Sequence, residues 1–259
     1  MRPYLDACGK YTGRWQHMFG FNWGGNRKAL KFPVEFDEGD RKIVQRIIEK
    51  KLSMAGHERL FATLLACRHV ASNDIQGDFV ECGVWRGGNG MIAADIFSRM
   101  KKSAKVCLFD TFSGMTEPEM HDIEIDTSEQ ASARYIREQK DAHNDWCFAP
   151  LEDVRQNFLE AGLLSNYICM IEGDVLETLR DEVNIPNAIS VLRLDTDWYE
   201  STKLELEILW PRLQSGGILM VDDYGHWGGA RKAVDEYFEE RGRPFFHYID
   251  YTGRMTVKP

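Results

Sequence analysis

The stretches ISVLRLDTD, residues 189–197, and GILMVDD, residues 217–223, are apolar, β-branched runs of strand length, and each stops abruptly at paired carboxylates. A parallel strand covered on both faces reads this way, and its C-terminal end opens into the crevice where α/β proteins bind ligands. The two runs therefore predict that Asp195, Asp197, Asp222 and Asp223 converge at one edge of one sheet. Like charges that close repel by several kcal/mol at an effective dielectric of about 20, so a compensating cation is expected. Ligation by oxygen alone, without His or Cys, selects Mg²⁺, Mn²⁺ or Ca²⁺ over zinc. The plainer reading of each aspartate is a helix N-cap or a solvated strand end.

Working outward, 259 residues give room for one α/β domain with an added arm or lid. A net charge of −9 argues against a nucleic-acid surface, which needs a concentrated basic face. The densest basic group, Arg41, Lys42, Arg46, Lys50 and Lys51, reads as the wet side of a helix. Cys8, Cys67, Cys82, Cys107, Cys147 and Cys169 show no CxxC spacing and read as small hydrophobes. No apolar leader follows the first Met and no apolar run suits a membrane span, so a cytoplasmic location and no membrane partner are expected.

Residues 1 to about 40 are aromatic and glycine-rich without periodicity, which suits an arm docked on the body, on a second subunit in a homo-oligomer, or beside a substrate. Helical spacing follows over Glu38–Leu52 and again from Ser53, read as an N-cap, to Val70. The first strand, Asp78–Cys82, runs into the glycine turn ECGVWRGGNG, residues 81–90, which lets backbone approach a ligand at a helix start but lacks the dinucleotide spacing GxGxxG. The second strand ends at Asp110, placed to accept both hydrogen bonds of a ribose diol, and a flat base has Phe112 to lie against. Residues 116–150 are polar and weakly periodic, the profile of a lid inserted after a strand or of a solvated excursion. Asp174 caps the helix after the third strand, and the tail reads as a hairpin.

The sum is a doubly wound α/β sheet of about seven strands, five of them parallel, with a closing antiparallel hairpin. Residues 1–52 form an N-terminal arm and helix, and 53–259 form the main domain with its lid at about 116–150. One crevice then collects Glu81, the glycine turn, Asp110 and Asp174 at one end, suited to an adenosine-bearing cofactor, and the aspartates at the other, suited to a metal holding an oxygen substrate.

The motifs ECGVWRGGNG, LFDTFSGM, EGDVLETL, LRLDTDWYEST and VDDYGHWGGARKAVDEYF resemble the macrocin O-methyltransferase family over roughly residues 53–258, leaving the aromatic arm outside. That resemblance implies a Rossmann-like class I methyltransferase fold and Mg²⁺- (or Mn²⁺-) dependent transfer of a methyl group from S-adenosylmethionine to a sugar hydroxyl in antibiotic biosynthesis. It makes Asp195, Asp222 and Asp223 metal ligands and Asp197 the general base, with His226 as the rival. It assigns the cofactor to Glu81, Cys82 and Gly83, to Asp110, Thr111, Phe112 and Ser113, and to Asp174, with Met54 and Arg59 in a lid closing over it.

The expected partner is a small acceptor bearing adjacent hydroxyls, and a catechol-like phenolic diol would chelate the same metal. A haloacid dehalogenase-like phosphohydrolase shares the DTD and DD strand ends. That fold needs its nucleophile on the first core strand, whereas DTD falls here on the fourth. A nicotinamide oxidoreductase has no use for the aspartates, and the intact acidic set argues against a binding protein on an inherited methyltransferase fold.

Overall fold

The computed structural model describes residues 30–259. Two compact units divide the chain, Met1–Phe36 and Asp37–Pro259. The expectations for Tyr11, Trp15, Phe19, Phe21, Trp23 and the rest of the arm up to residue 29 lie outside the described residues. Within the first unit, residues 34–35 form a turn, and the Phe36 amide donates to the Pro33 carbonyl at 3.1 Å.

The second unit runs α1 (Glu38–Lys50), α2 (His57–Ser72), β1 (Asp78–Cys82), α3 (Gly88–Arg99), β2 (Val106–Asp110), α4 (Ala131–Glu138), α5 (Leu151–Glu160), β3 (Ile168–Glu172), α6 (Val175–Thr178), β4 (Ile189–Leu194), α7 (Tyr199–Leu209), β5 (Leu213–Val221), α8 (Gly228–Glu239), β6 (His247–Tyr248) and β7 (Arg254–Val257). The strands form one sheet in the order β3-β2-β1-β4-β5-β7-β6. The first five are parallel, and β7 returns antiparallel to β5 with β6 antiparallel to it. Strand order reverses between β1 and β4, the switch point where an open α/β sheet leaves a crevice.

Alternation decides the two faces. Val80, Cys82, Cys107, Phe109, Leu192, Leu194, Leu219 and Val221 pack in one cluster with Leu206 and Leu209 of α7 and Val234 and Phe238 of α8. Their strand neighbours point the other way, so Glu81 and Arg193, paired in register across β1 and β4, share the opposite face.

Two boundaries differ from the sequence reading. Helix α1 is part of the main body, so the division falls after Phe36 rather than at residue 52. The cause is Asp40, fully buried, which receives Arg68 from α2 and Arg99 from α3, while Ile43, Val44 and Ile47 face inward. Ser53 does not cap α2: that helix starts at His57 behind Gly56, and the Ser53 hydroxyl accepts instead from the Ala55 amide at 3.1 Å.

The turn after β1 has its tightest glycine position at Gly83. Gly83 adopts φ +84°, and an added Cβ would overlap the Asp195 carbonyl at the end of β4. Gly83→Ala is therefore expected to lower unfolding free energy by about 3 kcal/mol or more. Urea denaturation measures this, and a loss below about 0.5 kcal/mol, the range of an ordinary surface change, would contradict the close approach.

Candidate active site

The crevice is built by backbone hydrogen bonds that carry the ladder past the strand ends. The Asp195 amide donates to the Cys82 carbonyl at 2.8 Å, Gly83 to Phe109 at 2.9 Å and Asp222 to Leu194 at 2.9 Å. The first residues beyond β1, β4 and β5 are thereby locked side by side.

A buried cation organises the acidic residues. Arg193, 1 % exposed on β4, bonds Glu81 of β1 at 3.1 Å, Asp195 at 2.5 Å, and Asp222 beyond β5. The other Asp222 oxygen receives Arg59 of α2, which also reaches Asp250 at 2.9 Å. The compensating charge inferred for the aspartates is thus supplied partly by the protein, through two guanidiniums to which the sequence reading gave no such part. Arg193 lies inside the quoted stretch, two residues before Asp195 and so on the same face, and that spacing was the available signal.

Asp195, Asp197 and Asp223 come together, each offering an oxygen within 4.8 Å of the others, a group with the chemistry to hold a divalent ion. Asp222 lies outside that group, because both of its oxygens face guanidiniums. Burial raises a carboxyl, yet Asp222 sits below the ordinary range because Arg193 and Arg59 outweigh it. Asp195 is pushed well up by burial, against the pull of Arg193 and with repulsion from Asp222 and Asp223. Asp223 is raised likewise by burial and by Asp197 and Asp222, and its Oδ2 is buried without a hydrogen-bond partner. These donors fit a hard cation: they are all carboxylate oxygens, closely spaced, with one guanidinium, Arg193 on Asp195, paired to the three.

Asp197 adopts φ +69°, uncommon for a residue with a side chain, and burial raises its carboxyl to about 7. His226 stands across the same loops, with its ring against Trp227 and Nδ1 4.0 Å from Glu124. Burial lowers its pKa, so the imidazole is neutral near pH 7.

The neighbouring cleft is lined by Gly83, Asp110, Thr111, Met115, Asp174 and Asp195, among others. Glu81, 1 % exposed, is raised to about 7 by burial, and its Oε2 has no hydrogen-bond partner. An unpartnered buried acceptor beside a cleft fits a ligand that brings a donor. Asp110 holds the loops: Oδ2 accepts from Val84 at 2.6 Å and Trp85 at 3.0 Å, and Oδ1 from Phe112 at 2.7 Å. Asp174 caps α6, accepting from the Leu176 amide at 2.8 Å.

One side chain faces elsewhere than the sequence reading placed it, and a second lies in the core as its apolar run predicts. Phe112, at φ +50°, is buried and offers no open face to a base, and Thr111 and Met115 line the cleft beside it. The Cys82 thiol is buried in the core, leaving only its backbone at the crevice. Ser113 is exposed, and its carbonyl accepts from Asn144 of the insertion at 2.8 Å. Met54 is 44 % exposed in the loop before α2, a loop that bonds the start of α3 through Leu52 and Gly88 at 2.9 Å.

The insertion is docked on the loops that carry the aspartates. Trp198 Nε1 donates to the Thr116 carbonyl at 3.0 Å, Ile125 to the His226 carbonyl at 2.9 Å and Gly228 to that of Ile123 at 2.8 Å. Trp146 of the insertion packs against Trp198 and Trp227, with Arg134 stacked 4.1 Å over its ring. Among the described residues, no helix is long and apolar enough to cross a membrane.

The profile of the macrocin-O-methyltransferase family matches residues 9–255, so the likeness extends through most of the arm that the five motifs left outside. The 8-demethyl-8-(2,3-dimethoxy-alpha-L-rhamnosyl)-tetracenomycin-C 4'-O-methyltransferase of Streptomyces olivaceus is 35% identical over 192 residues, 74% of this chain and 68% of that one. The mycinamicin III 3''-O-methyltransferase of Micromonospora griseorubida is 31% identical over 196 residues, 73% of this chain and 71% of that one. The solved structure of the O-methyltransferase NovP is similar with a TM-score of 0.69 at 29% identity, covering 80% of this chain and 82% of its own.

One buried carboxyl beside the site carries a pH signature. Glu205 of α7 is fully buried and accepts from the Thr196 hydroxyl at 2.9 Å, and burial raises it from 4.5 to about 8. Between those values the folded protein keeps a proton that the unfolded chain has released, so this group makes stability fall as pH rises. Glu205→Gln keeps the acceptor oxygen and removes the titration. The variant is expected to gain stability relative to wild type between pH 5 and pH 8 in urea melts, and a constant difference would contradict the assignment.

Proposed function

The chain belongs to the macrocin-O-methyltransferase family of S-adenosylmethionine-dependent enzymes, and from that premise we propose that it methylates one of two adjacent hydroxyls on the sugar of a glycosylated natural product, with Mg²⁺ or Mn²⁺ bound. The observation that carries this reading is the carboxylate group of Asp195, Asp197 and Asp223 set against a cleft lined by Gly83, Asp110, Asp174 and Asp195. Relatives named for methylating rhamnosyl and mycinamicin positions support a sugar acceptor.

Glu81, through its free Oε2, would hold the amino end of the cofactor, with Asp110 at the ribose, Asp174 at the base and Met54 over the opening. Asp195 and Asp223 would hold the metal; Asp222, the third ligand that the resemblance implies, has Arg193 and Arg59 on its two oxygens and would reach the ion only through the lone pairs they leave. Bound together, the two groups supply an electrophilic methyl and Lewis acidity toward neighbouring oxygens. The protein's own part is alignment and proton removal. In-line methyl displacement depends on positioning, and the locked strand ends give it. Asp197, half-buried beside Asp195 and Asp223 beyond the end of β4, is the carboxylate placed to take the acceptor proton. His226 is the second candidate for that proton.

Methyl transfer from S-adenosylmethionine to glycosylated acceptors, assayed with and without a chelator, tests the proposal. Transfer is expected to stop with chelator and return with Mg²⁺; full activity in chelator would remove the metal from the account. Asp195→Asn is expected to abolish transfer while S-adenosylhomocysteine still binds. Asp197→Asn tolerates the left-handed backbone and loses only the base, so its single-turnover rate should fall roughly 10²- to 10⁴-fold. An unchanged rate would move the base to His226.

A further inference from the structure

Asp122, in the insertion, is fully buried and has no place in the chemistry described so far. Its Oδ1 accepts from the Tyr199 amide at 2.9 Å, 77 residues away, and its Oδ2 from the Glu119 amide at 2.7 Å. Its own carbonyl accepts from the Ala131 amide at 3.0 Å, where α4 begins. Tyr199 is the first residue of α7, whose N-cap, Trp198, gives that turn no capping side-chain hydrogen bond. The free amide of that first turn is therefore satisfied from the insertion, by an acidic side chain that the helix dipole favours there. On the other side stands Gly229, in the first turn of α8, where an added Cβ would overlap Asp122 Oδ1 and lie 2.9 Å from the Tyr199 amide.

One carboxylate thus joins the insertion to the starts of both helices that leave the aspartate loops. Helix α7 starts two residues after Asp197, and α8 five residues after Asp223. Asp197 is held at φ +69° between the Trp198 amide bond to Thr196 at 2.8 Å and the fixed turn at Tyr199. A left-handed residue with a side chain persists only where its surroundings hold it.

Resting on the functional reading above, we infer that Asp122 is a positioning residue for methyl transfer: it fixes the first turn of α7, and through it the Asp197 carboxylate, relative to the DD loop. Gly229 is the space that lets it do so.

Asp122→Ala, Gly229→Ala and the double variant, compared with wild type below their melting temperatures, test this. Each single variant is expected to lose roughly 10- to 100-fold in kcat, with S-adenosylhomocysteine affinity within about twofold and faster hydrogen exchange over residues 196–202. Gly229→Ala reaches the carboxylate from α8 without altering the insertion, so agreement between the two singles is not a folding defect of one. The double variant should be no worse than Asp122→Ala alone, because removing the carboxylate removes the overlap. Wild-type kcat in folded variants, or losses that add in the double, would overturn the inference. Wild-type protein that methylates no acceptor would overturn the functional reading and the catalytic part of this inference with it; the exchange measurement would then decide the structural link alone, and unchanged protection would overturn that too.

Discussion

A guanidinium at 1 % exposure in the middle of a parallel sheet is tolerable only because three carboxylates from three strand ends meet it. Arg193 is the charge that lets Glu81, Asp195 and Asp222 lie together, and they in turn let it stay buried. Removing one partner from a buried, hydrogen-bonded ion set costs about 3–5 kcal/mol, because the remaining charge is left unpaired. The network therefore fixes the spacing of β1, β4 and β5 at the end where the crevice opens, and the site inherits its geometry from it. Arg59 extends the same logic to α2 and to the turn before β7 through Asp222 and Asp250. The least compensated carboxyls are Asp197 and Asp223, which with the edge of Asp195 form the group whose donors suit a divalent ion.

Backbone strain follows the same ring of loops. Trp85 after β1, Phe112 after β2 and Asp197 after β4 all have positive φ. Such positions cost about 1–3 kcal/mol each and survive where several contacts determine them. Asp110 supplies those contacts for the first two, accepting the Trp85 and Phe112 amides with its two oxygens. Asp110, proposed above to meet the ribose, therefore also shapes the walls of the cleft.

The sheet was legible because its signals are local: apolar runs of strand length, glycine turns and acidic stops occupy five to ten consecutive residues each. The ends at Asp110, Asp195 and Asp222 fall where the runs predict. The role of Arg193 was not read, because a scan for apolar runs passes over a single basic residue inside one, although its spacing from Asp195 put both on one face. Arg59 meets Asp222 across 163 residues, and Asp122 meets Tyr199 across 77, and no periodicity reports pairings at that range. For the same reason residues 116–150 read equally as lid or solvated excursion. What docks them is a few specific bonds to Trp198, His226 and Gly228. The side-chain direction of Phe112 was also beyond reach, since motif position locates a backbone but not the face its side chain takes.

The central claim is that the strand ends gathered around Arg193 form one crevice for an adenosine-bearing methyl donor beside a divalent-ion site. Calorimetric titration of the purified protein with S-adenosylhomocysteine, in the presence and in the absence of Mg²⁺, tests it most directly. The account predicts saturable one-to-one binding in both conditions, since Glu81, Asp110 and Asp174 are held in place by the protein alone. Absence of binding in both would contradict the assignment of the cleft and, with it, the function built on it.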